Sequence, residues 1–279
     1  MRELLRHPAG LFGTVVVGLL PAAALLSLFW TPYPLLRQDV AERWLGPDAR
    51  HWLGTDEIGR DTLSWLLAGS RTTVFVAFWA TLIAAGLGLA LAALTALGPR
   101  RVAEPVIVLV DLLIAFPVLL IAMLLAAAFG GSLWIVVTAV GVGVGMNLAR
   151  VLRPEIRRVI AADYVVAARA GGVGPGGILA RHVVPNVAPV AIVQLSYVAA
   201  VAILAEAGLS YLGYGAPAGS PSWGRSLADS QHYIAVQPAS VLWPGLAIAV
   251  TVLAITLLGD ALRDALDPRL RRGRRARES

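Results

Sequence analysis

Residues 162–186 read ADYVVAARAGGVGPGGILARHVVPN, and this polar stretch between long apolar runs decides how the chain is threaded. Arg150, Arg153, Arg157 and Arg158 lie just ahead of it, and Arg169 and Arg181 lie within it. Arginine density of this kind between apolar spans marks a loop on the cytoplasmic side of a membrane. Inside the loop, residues 164–170 predict a short helix with small side chains at Ala167, Ala168 and Ala170, stopped at Gly171-Gly172. A short helix with an alanine face and a glycine exit brings its backbone close to another surface. The loop is therefore expected to be held by a partner.

Working outward, the chain is 58% hydrophobic and 14% charged, with a mean hydropathy of +0.75. Soluble domains are far more polar than this. An all-α membrane protein with six transmembrane helices is expected, over residues 11–29, 73–97, 105–129, 133–149, 187–205 and 241–258. The first run is just long enough to cross a bilayer core of about 30 Å at 1.5 Å per residue. A cleaved signal peptide competes for that run, since Arg2 and Arg6 precede it. Its length, and the lack of a small-residue cleavage site after Phe29-Trp30-Thr31-Pro32, favour a retained span. With both termini cytoplasmic, 17 of the 23 arginines fall inside and 6 outside, the bias that positive-inside ordering requires.

All 23 basic residues are arginine, which removes any phosphate-loop or Schiff-base lysine. No cysteine is present, so disulfides and thiolate metal sites are excluded. The four histidines (His7, His51, His182, His232) share no ligand spacing, and neither a metal nor another cofactor is expected in this chain. The arginines from Arg269 to Arg277 form a tail cluster suited to anionic membrane lipids, and nothing forms the stripe that nucleic acid needs.

Individual residues carry further expectations. Asp111, in the third span, reads as a structural acid near the cytoplasmic interface, and Pro117 should kink the same helix. Gly141 and Gly145 share one helix face at the spacing of close helix contacts. Outside, the string from His51 to Asp61 predicts a tight turn, with Asp61 as N-cap of a helix over residues 62–67. Tyr211, Tyr214, Trp223 and Tyr233 suit an aromatic belt at headgroup level. Glu206 has two readings: a residue of the translocation path or external gate, or a carboxylate satisfied by nearby backbone N–H groups.

The Ala167-Ala168, Gly172 and Pro185-Asn186 spacing resembles the cytoplasmic EAA loop of ATP-binding-cassette importer permeases, whose short helix docks on an ATPase subunit. Val166 stands where that motif has Glu, with Asp163 about one turn away. The string from His51 to Asp61, followed by Thr62-Leu63-Ser64 and Ala68-Gly69-Ser70-Arg71, resembles the C-type permease subunit of dipeptide and oligopeptide systems. So do Glu206-Ala207-Gly208-Leu209-Ser210-Tyr211-Leu212-Gly213, Pro221-Ser222-Trp223-Gly224 and the ending from Gly259-Asp260, with Thr256 where that family has Asn.

The resemblance implies a type I importer permease fold, a MetI-like core of about five helices plus an N-terminal transmembrane helix. Residues 1–70 would hold that helix and an external segment, 71–266 the transmembrane domain and 267–279 the basic tail. The implied partners are a homologous permease, two ATPase subunits and an external substrate-binding protein, in a bacterial inner membrane. The chain would be no enzyme itself, since ATP hydrolysis belongs to the ATPase subunits. Tyr164, Ala167, Ala168, Arg169, Gly172 and Pro185 would form the ATPase-docking surface; Glu206, Tyr211 and Trp223 the pathway or gate; Asp111 and Asp260 structural acids. The implied cargo is di- or oligopeptides, with nickel or glutathione-like molecules as the alternative. Two readings from other classes compete: a proton-coupled carrier using Asp111, Glu206 and Asp260, and a scaffold without a pathway.

Overall fold

Local start and stop signals set the helix boundaries. The computed structural model describes residues 7–266, so Arg2, Arg6 and the basic tail of residues 267–279 lie outside the described residues. Helix α1 (Pro8–Phe29) opens on a proline, whose missing N–H has no partner to lose in a first turn. Helix α2 (Thr62–Leu97) starts at a side-chain cap: the Asp61 carboxylate accepts the Ser64 backbone N–H at 2.8 Å and the Ser64 hydroxyl at 2.7 Å. The capped turn expected at residues 62–67 and the span expected from residue 73 are thus one helix of 36 residues.

The third span is not one helix. It divides into α3 (Arg100–Ile114) and α4 (Val118–Phe129), bent by 80° at the break. Pro117 is the cause: it has no N–H to donate into the preceding turn, and its ring disfavours helical backbone at Phe116. The new direction lays α4 on the next helix, where a Cβ on Gly143 would meet the Val118 side chain at 2.4 Å. Counting this broken pair as one crossing gives six spans among the described residues, and five without it.

Helix α5 (Leu133–Ile160) continues well past the expected end at residue 149 and carries Arg150, Arg153, Arg157 and Arg158 on its last turns. The short α6 (Asp163–Ala170) and α7 (Pro175–Ile178) follow, then a π-helical turn over Leu179–Val183. Helix α8 (Val184–Tyr211) outlasts the expected end at residue 205, so Glu206 sits within the helix and not at its tip. The short α9 (Trp223–Ser230) and the last span, α10 (Ala239–Leu266), complete the chain. Among the described residues there is no strand, only an isolated antiparallel bridge between Thr55 and Asp61.

The core lies between α2 and α5. Val76, Ala80, Ala84, Gly88 and Ala92 form a buried stripe on α2 repeating every fourth residue. Gly141 and Gly145 meet it from α5: a Cβ on Gly145 would lie 3.0 Å from the Ala84 Cα, and one on Gly141 2.9 Å from the Ile83 Cβ. With lipid tails as apolar as the side chains, such backbone proximity and its dispersion contacts hold the pair together. Helix α1 packs on α2 and α10, with Arg71 of α2 donating to the Ser27 hydroxyl of α1 at 2.7 Å and to the Ser27 carbonyl.

Candidate functional site

At the end of the bundle that carries the arginines, α6 lies on a floor formed by α5, α7 and the start of α8. Val165 is fully buried and Ala168 half-buried in a cluster that also holds Ile156, Val159, Ile178 and Val183. At 100° per residue the opposite face carries Asp163, Val166, Ala167 and Ala170, all exposed. Ala167 and Ala168 therefore part company, one outward and one against the body. Tyr164 is half-exposed with its ring 5.9 Å from the His182 ring, which ties α6 to the π turn.

The exit of α6 has a defined geometry. The Val173 N–H reaches back to the Ala168 carbonyl at 3.1 Å and the Gly172 N–H to the Arg169 carbonyl at 3.0 Å, while Gly172 takes φ +86°. This is a Schellman closure with glycine at its left-handed position. A Cβ at Gly172 would meet nothing within 4 Å, so glycine is demanded by conformation and not by space. Arg169 and Pro185 are exposed at the same end of the molecule.

Pro185 and Glu206 stand on one helix, about 30 Å apart along its axis at 1.5 Å per residue. Glu206 is 1% exposed. One carboxylate oxygen accepts from the Ser210 hydroxyl at 2.7 Å and from the Ser222 hydroxyl at 2.8 Å, so its partners are side-chain hydroxyls where backbone N–H groups had been one expectation. Ser210 accepts in turn from the Ala216 N–H at 2.8 Å. Gly224 packs so tightly on α8 that a Cβ there would meet the Ala207 carbonyl at 2.2 Å. These contacts seal residues 212–224 across the end of α8.

Trp223, expected in the interfacial belt, is instead buried against Gly69, and its indole N–H donates to the Leu66 carbonyl at 2.9 Å. Tyr211 is partly exposed, with its hydroxyl on Gln231. Asp111 stands apart from this group, 3.9 Å from Arg150 with both side chains more than half exposed. Asp260 is exposed on α10 and joins neither group. Among the described residues, no three His, Asp or Glu side chains gather as metal ligands.

The string from His51 to Asp61 folds into a knot over the start of α2. His51 is 2% exposed, its Nδ1 is 2.9 Å from Asp61 and its Nε2 3.6 Å from Glu42, and its ring stacks on Tyr33 at 4.5 Å. Gly59, at φ +77°, leaves no room for a Cβ, which would fall 1.9 Å from the Asp39 carbonyl. Asp56 accepts from the Ile58 and Arg60 N–H groups at 3.0 and 2.9 Å. Burial pushes the neighbouring Glu57 carboxyl above its usual range, with the charge of Asp56 adding to the effect. Sequence reasoning missed Ser210, Ser222 and the Arg71–Ser27 clasp. For Ser222 the available signal was its place before Trp223-Gly224, where a serine caps a helix.

Comparison with known proteins bears on this arrangement. The family described as "Binding-protein-dependent transport system inner membrane component" matches residues 65–272. The nickel transport system permease protein NikC of Escherichia coli (strain K12) is 34% identical over 256 residues, 92% of either chain. The dipeptide transport system permease protein DppC of Alkalihalophilus pseudofirmus is 31% identical over 270 residues, covering 97% of this chain and 89% of that one. Among solved structures, an inward-facing conformation of the MetNI methionine ABC transporter superposes with a TM-score of 0.60 at 16% identity, covering 73% of this chain and 97% of the other.

Proposed function

Because the chain belongs to the binding-protein-dependent transport system inner membrane component family, and is thus a multi-pass permease subunit of an ABC importer, we propose that its cargo is di- or oligopeptides. It lines the pathway together with a homologous permease. Two ATPase subunits bind at the cytoplasmic face through residues 162–186, and an external binding protein delivers the cargo. Both termini face the cytoplasm, in keeping with the arginine bias. The subunit hydrolyses nothing and binds no cofactor of its own.

The observation that carries this reading is α6: a short helix seated on a packed floor, with the exposed face Asp163, Val166, Ala167 and Ala170. Closure of the ATPase pair displaces α6, and the floor transmits the displacement into α5 and α8. Helix α8 runs without a break from that floor to Glu206, so a shift at Pro185 reaches the Ser210–Ser222 seal as a rigid-body movement. ATP closure opens the pathway outward and hydrolysis resets it. A specific observation favours nickel as a second cargo, the 34% identity to NikC over 92% of the chain.

The test is a cysteine at Ala167 in this cysteine-free chain, cross-linked in membranes that hold the whole importer. The expected product joins the subunit to an ATPase chain, and nucleotide changes its yield. Cross-linking only to lipid or to a periplasmic protein would overturn the docking role. Uptake of labelled dipeptide against labelled nickel by the same membranes separates the two cargoes.

A further inference from the structure

We propose that the cavity between α2, α3 and α5 is a binding site for the phosphodiester headgroup of an anionic membrane lipid. The cavity, of about 180 Å³, is lined by Thr95, Asp111, Arg150, Arg153 and Arg157 with apolar walls such as Leu91. This inference rests on the membrane-spanning character of the three helices and not on the cargo or the docking partner.

Three guanidinium groups meet one carboxylate there. Asp111 and Arg150 are 3.9 Å apart, too long for a hydrogen bond, and both are open to the surroundings. Arg157 donates to the Thr95 carbonyl at 3.3 Å. The Arg153 side chain makes no hydrogen bond or ion pair among the described residues, and its Nε is buried. A buried guanidinium N–H without an acceptor is unfavourable, and a permanently charged one calls for an anion. Guanidinium geometry matches the paired oxygens of a phosphate.

The level of the cavity points to a lipid as the source of that phosphate. Its lining comes from the last two turns of α2, which ends at Leu97, from Ile107, Val110 and Asp111 in the second half of α3 and from the arginine-bearing end of α5. Apolar spans give way to charge at this level, as they do at lipid headgroups. Beside it, Val108 and Leu112 of α3 are 67% and 59% exposed, an apolar wall on which acyl chains can lie. The net positive lining selects a headgroup of net negative charge over a zwitterionic one.

The test uses the purified importer with all its subunits, stripped of lipid in detergent and titrated in native mass spectrometry. Phosphatidylglycerol, phosphatidylcholine of the same chain length and inorganic phosphate are the three probes. Phosphatidylglycerol is expected to bind most tightly, with about fivefold weaker binding in Arg153→Gln and in Arg150→Gln and tighter binding in Asp111→Asn. Arg150 is mostly exposed, so its variant assembles even if Arg153→Gln does not. Equal affinity for the two lipids, or unchanged binding in the Arg150→Gln variant, overturns the proposal. So does occupancy by inorganic phosphate that blocks the lipid at no lower affinity, since the site would then belong to a soluble anion.

Discussion

Replacing Gly172 with alanine tests whether the exit of α6 positions the helix for its partner. At φ +86° an L-residue is strained, by about 1–2 kcal/mol in the left-handed region, and no nearby atom adds to or relieves that strain. An energy of this size changes an equilibrium by about five- to thirtyfold. It acts on the Schellman closure, hence on the fraction of subunits whose α6 lies against the Ile156–Val183 floor. Uptake driven by ATP in proteoliposomes, measured alongside ATP hydrolysis, is the assay. The expected result is a fall in cargo moved per ATP, with the subunit still present in the membrane. Asparagine tolerates the left-handed region, so Gly172→Asn should recover much of the loss. Unchanged coupling in Gly172→Ala refutes the reasoning. An asparagine variant as impaired as the alanine one refutes it too, because the defect would then be contact with a partner and not backbone strain.

Three further outcomes follow from the packing. Glu206→Ala leaves the Ser210 and Ser222 hydroxyls without their shared acceptor, at about 1–3 kcal/mol per buried group, whereas Glu206→Gln keeps an acceptor oxygen. Hydrogen exchange over residues 209–224 should accelerate in the alanine variant and change little in the glutamine one. Gly145→Val drives a branched side chain into the Ala84 backbone and should lower thermal stability by about 1–3 kcal/mol, measured in thermal melts, with the smaller Gly145→Ala costing less. The folded state holds the Glu57 proton more strongly than the unfolded chain, so this group's contribution is present below the usual carboxylate range and lost as pH rises through its raised value. Melting curves across acid pH should show that loss in the wild type and not in Glu57→Gln.

Much of the architecture was legible because a bilayer permits so few backbone arrangements. The apolar runs and the glycine exit of α6 are local signals: helices carry the runs among the described residues, the third broken in two, and a Schellman closure ends α6 at the glycine. The errors lie where one local rule met a longer-range one. Asp61 signals a helix start correctly, but nothing near it says that the helix continues through residue 97. Pro117 signals a kink, but nothing near it gives the 80° angle or says that α4 comes to lie against Gly143, distant in sequence. Trp223 has the composition of a belt residue, and only the absence of a Cβ at Gly69 lets it bury. The serine partners of Glu206 were hidden because one, Ser222, is 16 residues away across a loop.

The length of α2 has its own mechanical meaning. Its 36 residues make a rod of about 54 Å at 1.5 Å per residue, against a hydrocarbon slab of about 30 Å. Pivoted at its Leu97 end, such a rod sweeps its far tip through roughly 9 Å for a tilt of about 10°. Asp61 rides on that tip with His51 and Tyr33 bonded or stacked in sequence behind it. A knot bonded to that tip would be a passenger on a crank: carried as a block, it would keep its own bonds made, while a few degrees of rotation at one end of the rod became a wide swing at the other.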